Sequence, residues 1–321
     1  MARVVMRPFE GADLVAAARL LAERHVLHRK RHPLLPAAYE DQTVALKEVT
    51  AVWETEGASG SVLVEGDEIT GYLLGAPKSS SVWGPNVWVE RAGHAARDPE
   101  KIRDLYGDAA TNWYEQGLIA HYALVPDDAA LIDAWFRLGF GSQHAHAVRP
   151  VPSTPYAAHP DLIVRRCSRD DVQALAELEL VLPQHQGMSP VFSAGEVPTI
   201  EEALAEWEED VDDPSYTTFV AEDNGRVIGM AIGCSLDKSS AHSGLAQPEN
   251  AAFLSYAAVF PDARGIGAGR ALSEAVLNWS AEAGYDCIAT DWRVTNLLSS
   301  RAWPSLGFVQ TFHRLHRMLG H

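Results

Sequence analysis

One order of elements occurs twice in this chain, and that repetition constrains the fold more than any other feature. A strand-like run at 4–7 precedes an amphipathic run at 13–22, and the same order returns at 163–166 and 171–178. Each is followed by His-x-x-x-x-Pro, as His28 to Pro33 and His185 to Pro190. Hairpin-like apolar pairs come next, at 61–66 with 69–75 and at 217–222 with 227–233. Asn112-Trp113 then matches Asn278-Trp279, and the run 134–140 matches 302–308, both ending in Leu-Gly-Phe. The offsets run from about 157 to 168, which places the insertions in loops. A length of 321 residues also exceeds the roughly 250–300 at which a single core stops growing. Two copies of one α/β domain are expected, at 1–149 and 161–321. The stretch 150–160, with four prolines in eleven residues, reads as a stiff connector between them.

The copies differ at one place. In the second, an apolar run at 251–260 ends at Pro261 and is followed by Arg264-Gly-Ile-Gly-Ala-Gly269 and then a run with helical spacing, Leu272, Val276 and Trp279. Glycines at the start of a helix let the backbone pass close to a ligand, with unpaired N–H groups pointing at it. The helix dipole adds about half a positive charge there, a combination that binds phosphate. The spacing G-x-G-x-G is not the G-x-G-x-x-G of a dinucleotide fold, and no Gly-Lys-Ser/Thr follows it. Sliding back 166 residues from the Asn-Trp pair puts Asp98-Pro-Glu100 at the same point in the first copy. No glycine stands there, Pro99 lacks an N–H, and two acids would repel a pyrophosphate.

The pattern Arg264-x-x-Gly267-x-Gly269, preceded by Val259-Phe-Pro261, resembles the pyrophosphate-binding motif of the GNAT acetyltransferase superfamily. Downstream, Asn296, Ser299, Trp303, Gly307 and Phe308 resemble its second signature, with Trp303 where the family usually has Tyr. The resemblance implies two tandem GNAT-like domains, each a mixed, mostly antiparallel twisted sheet flanked by helices. It implies acetyl-coenzyme A as acyl donor, without a metal. The coenzyme would be held by Val259, Arg264, Gly265, Ile266, Gly267, Ala268, Gly269, Arg270, Asn296, Ser299 and Trp303. The first copy would be degenerate and hold none.

The implied reaction is direct attack of an amine on the thioester, giving an N-acetyltransferase. Other readings are O-acyl transfer and a non-catalytic acyl-coenzyme A sensor, the latter suggested by Trp303, whose indole N–H is a donor but not a useful acid. Candidate catalytic bases are Tyr256 in the fourth strand of the second copy, Asp291 after the fifth and His185 in a loop between helices. Glu249 is a weaker candidate.

Charge bears on partners. The net charge of −17 argues against nucleic acid and anionic membrane. Residues 1–157 hold 15 Lys and Arg against 20 Asp and Glu, whereas 158–321 hold 11 against 23. The stretch from Glu196 to Asp213 carries nine acids and no base, and either forms a solvated face or draws in a cationic acceptor. The expected partner is therefore a small-molecule amine, to a monomer whose copies form a pseudo-dimer, or to a homodimer. No apolar run approaches 18 residues, and no secretory h-region opens the chain, so a cytoplasmic protein is expected. Cys167, Cys234 and Cys287 lie at no metal-binding spacing and read as small buried side chains.

Overall fold

The structure, a computed structural model, describes residues 4–79, 83–193, 195 and 197–320. The chain divides into two compact units that are not contiguous in sequence. The first comprises Met1–Ala145, Gly244–Gln247 and Gln310–His321, and the second His146–Ser243 and Pro248–Val309.

In the first unit, β1 (Val4–Pro8), β2 (Ser59–Glu65), β3 (Glu68–Gly75) and β5 (His94–Ala96) form an antiparallel sheet in that order. A second set runs β4 (Asn86–Val89), β6 (Ala120–Pro126) and β13 (Val309–Met318). Helices α1 (Leu14–Arg31), α2 (Gln42–Trp53), α3 (Lys101–Glu115) and α4 (Ala129–Phe136) flank them. The C-terminal strand differs from the expected 161–321 grouping. Residues 312–318 pair antiparallel with β6, from Phe312 against Pro126 to Met318 against Ala120, and Phe312 and Leu315 are fully buried in this unit's apolar clusters.

In the second unit the order is β12 (Cys287–Arg293), β11 (Ala251–Val259), β10 (Arg226–Ser235), β9 (Tyr216–Asp223) and β8 (Ile163–Arg166), with β7 (Gly141–Pro150) beside β12. Its helices are α5 (Val172–Gly187), α6 (Ile200–Asp210), α7 (Ala268–Glu282) and α8 (Leu297–Ser305). Leu175, Leu178, Val220 and Met230 form a buried cluster under α5 and α6. Both units are thus mixed, twisted, mostly antiparallel sheets flanked by helices, the expected fold class.

The duplication extends to single ion pairs. Arg7 grips Asp13 with two bonds of 2.7 Å, and Arg165 grips Asp171 with two of 2.8 Å. In each copy the acid also accepts a backbone N–H three residues upstream, locking the turn that starts the first helix.

The proline-rich stretch is not a free connector. The side-chain amide of Asn278, on α7, accepts from Tyr156 N–H at 2.8 Å and donates to its carbonyl at 3.0 Å. Arg149 also reaches the Tyr156 hydroxyl at 3.1 Å. Prolines remove backbone donors, so the segment takes its hydrogen bonds from side chains of the unit it crosses.

Candidate active site

The site begins where two parallel strands part. β11 pairs with β12 only from Ala251 against Cys287 to Phe253 against Ala289. Beyond Phe253, β11 continues to Val259 on β10 alone. The parting has two local causes. A bulge at Ser255 shifts the β10–β11 register and bends the strand. At the fork itself the Thr290 hydroxyl donates to the Leu254 carbonyl at 3.0 Å, closing the ladder with a side chain. Phe260 N–H donates to Ile228, so by strand alternation the N–H groups of Ala257 and Val259 face the opening.

The glycine loop sits at the end of this strand. Gly265 and Gly267 have φ of 92° and 94°, a region that disfavours side chains, and Gly267 is the N-cap of α7. Among the described residues, no acceptor is assigned to the N–H groups of 264–270, and Arg264 pairs with no acid. A cavity of about 330 Å³ opens here. Its walls include Val259, Arg264, Gly265, Gly267, Ala268, Gly269 and Arg270 from the strand, loop and helix, and Asn296, Ser299 and Trp303 from α8. Of the eleven expected coenzyme residues, Ile266 alone stays off the wall; the residue is 45% exposed. Asn296 is the N-cap of α8, its side-chain oxygen accepting from Leu298 and Ser299 N–H. One residue escaped the motif reading: His159, carried by the proline-rich stretch, lies where a Cβ on Gly267 would meet its Nε2 at 2.8 Å.

The three candidate bases separate. His185 lines the cavity and meets the Asn296 side-chain oxygen at 3.3 Å. It lies in the last turn of α5 and not in a loop, because the helix runs through Pro183. Proline has no N–H to give the Glu179 carbonyl one turn back. The Tyr256 hydroxyl supplies that donor, reaching the carbonyls of Glu179 at 2.8 Å and Leu178 at 3.0 Å. Its proton is committed and burial pushes its pKa well up, so Tyr256 braces α5 and is no base. Asp291 lies outside the cavity wall, 3.6 Å from Nδ1 of the buried His242. Glu249 is exposed, as a solvated loop residue would be.

A second cavity, of about 270 Å³, is lined in part by Ser255 and Tyr256 of β11. Glu179, Glu206, Asp210 and Asp213 line it together with Trp207, Tyr216 and Tyr256. Met230 lines both cavities. Glu179 accepts from Trp207 Nε1 at 2.6 Å. Its burial, and next the charge of Glu206, raise its pKa, partly opposed by the indole hydrogen bond. Sequence reading missed Glu179, which stands in a largely apolar run, 172–182, and belongs to no motif. Of the acidic stretch, Glu202 does something else: it closes a capping box with Thr199 at the start of α6. Glu196 lies outside the described residues.

A parted parallel strand pair with a glycine loop and helix N-terminus at its mouth defines an acyl-transferase fold. Residues 180–308 match the model of the acetyltransferase (GNAT) family. Among solved structures, the chain is similar to a GCN5-related N-acetyltransferase from Sphaerobacter thermophilus, with a TM-score of 0.57 and 14% identity over 98% of this chain and 95% of that one. It is also similar to the glucosamine N-acetyltransferase region of a fungal multi-domain GH3 β-N-acetylglucosaminidase, with a TM-score of 0.52 and 14% identity over 98% of this chain and 38% of that one. No curated protein matches the chain. The match to the GNAT acetyltransferase family is carried by residues 180–308, and the solved structures share the fold.

Proposed function

We propose that the second unit binds acetyl-coenzyme A and transfers its acetyl group to the nitrogen of a small amine bearing positive charge. The observation that carries this reading is the pair of cavities sharing Met230, one edged by unpaired backbone N–H groups and the other by four acids. The pyrophosphate belongs at 264–270, where N–H groups and the α7 dipole meet it. The acyl arm then runs along the open edge of β11. There an N–H of Ala257 or Val259 can polarise the thioester carbonyl, a donor of the kind worth about 2.7–4 kcal/mol.

The acceptor enters from the acidic side. An ammonium must lose a proton before it attacks, and Glu179 is the carboxylate with a raised proton affinity in that cavity. The amine nitrogen then bonds to the acetyl carbon, the C–S bond breaks, and the proton the nitrogen sheds in becoming an amide passes to the departing thiolate or to water. A thiol of pKa about 8.5 leaves tolerably as an anion, so the reaction proceeds with Trp303 in place of an acidic side chain.

A screen of amino sugars, polyamines, basic and acidic amino acids, and alcohols, read as thiol release from acetyl-coenzyme A, tests this. Turnover with a cationic amine, weakened by salt and by charge reversal at Glu206 and Asp210, is expected. Preference for an anionic acceptor or an alcohol sinks the amine reading. Tight coenzyme binding without turnover on any acceptor makes the chain a sensor.

A further inference from the structure

Asp291, displaced from the coenzyme cavity, has other company. It stands on β12 beside His146 on β7 and His242 in the loop between β10 and β11. One donor atom from each lies within 4.8 Å of the other two. Both histidines are buried, at 3% and 1% exposure, and the Asp291 side chain is 20% exposed. The imidazole rings meet edge to face at 4.9 Å between centroids, and Phe253 covers His242 at 5.2 Å.

We propose that His146, His242 and Asp291 hold one divalent transition-metal ion, with zinc the best chemical fit. Two imidazoles and a carboxylate suit zinc, cobalt or nickel, whereas calcium and magnesium call for shells of oxygen. The 3.6 Å between His242 Nδ1 and Asp291 Oδ2 is near the roughly 3.3 Å edge of a tetrahedron of donors about 2.0–2.1 Å from zinc. The remaining donors close to that spacing by side-chain rotation. Ser239 Oγ, 3.0 Å from the same His242 Nδ1, stands where it can complete the set as a further ligand. The partly exposed carboxylate leaves a path for the ion and for a water ligand. The ligands come from a strand, a loop and a second strand, so the ion ties the β10–β11 loop to the strands beside the fork. This runs against the sequence-based expectation of a metal-free chain. Histidines about 96 residues apart, with the acid 49 further on, form no sequence motif.

The test uses the full untagged chain, stripped with a chelator and titrated with Co²⁺ as a spectroscopic probe. Expected are visible d–d bands of a low-coordinate site saturating at one ion per chain, displaced by Zn²⁺. A zinc-dependent rise in Tm of roughly 5–10 °C is expected when free zinc exceeds Kd a hundredfold. His242→Gln and Asp291→Asn should each weaken cobalt binding by about 100-fold or more, at or beyond the upper end of second-shell losses. Absence of the bands and of the Tm shift in the unmutated chain overturns the site, whatever the variants do. Bands that persist in both variants overturn it too, by placing the ion elsewhere.

Discussion

The starts of α7 and α3 are the same point in two copies of one fold, and they are built in opposite ways. Before α7, two glycines at positive φ leave a run of N–H groups with no acceptor among the described residues. Before α3, Asp98 and Glu100 consume them: Asp98 accepts from the N–H of Glu100 and Lys101, and the Pro99 and Glu100 carbonyls from Ile102 and Arg103. Glu100 is further tied to Arg103 and Arg137. The fork differs in the same sense. In the first unit the strand equivalent to β11 is broken into β4, parallel to β6, and β5, antiparallel to β3. The Arg24 guanidinium fills the gap, donating to the carbonyls of His94 and, at 2.6 Å, Arg91. Trp135 is fully buried there, whereas its counterpart Trp303 lines a cavity. A binding fork needs unsatisfied backbone groups, and the first copy has satisfied its own.

The comparison breaks most easily at Gly267. A valine there takes on a φ of 94° and brings a Cβ within 2.8 Å of His159 Nε2. Calorimetric titration should give one acetyl-coenzyme A per chain for the unmutated protein and an affinity reduced at least ~100-fold, about 2.7 kcal/mol, for Gly267→Val. Circular dichroism should stay native. A stoichiometry of two, or unchanged affinity, would dissolve the contrast between the copies.

Arg24 comes next. Burial lowers its pKa to about 10, and Arg24→Ala strips two carbonyls of their donor. Each orphaned group costs about 1–3 kcal/mol, so chemical denaturation should show a loss of a few kcal/mol with coenzyme affinity intact. A gain of a second coenzyme site instead would mean that the plug alone silences the first unit.

Mild acid supplies the remaining test. Burial first of all lowers the pKa of His25 to about 4, His28 to about 2, His94 to about 3 and His121 to about 4, from 6.5. The folded first unit therefore holds these rings neutral, while the unfolded chain takes up protons as pH falls below 6.5. Stability is full above that value and declines toward pH 4, by up to about 1.36 kcal/mol per pH unit for each histidine. Hydrogen exchange followed from pH 7 to pH 5 should show the first unit opening before the second. Uniform opening would mean that the buried histidines relax as they charge.

The parts of this protein legible in its sequence are those with local causes. Glycines at 265 and 267 announce a backbone that other residues resist, and Asn296 and Asp171 announce helix starts through bonds to residues a few positions away. The repeat is legible because each copy reuses the same local solutions. What only the tertiary structure decided involves partners far apart along the chain. Tyr256 looked like a candidate base until its hydroxyl proved to replace the donor that Pro183 lacks, 73 residues earlier. Glu179 acquired its raised pKa from burial and from Glu206 on another helix, and Asp291 acquired two histidines from other elements. Residues 310–321 joined the first unit because β6 had an open edge and a core to receive Phe312 and Leu315. Backbone conformation is a property of neighbours in sequence. Proton affinity, ligand sets and strand partnership depend on which groups share a low-dielectric space, and folding chooses those.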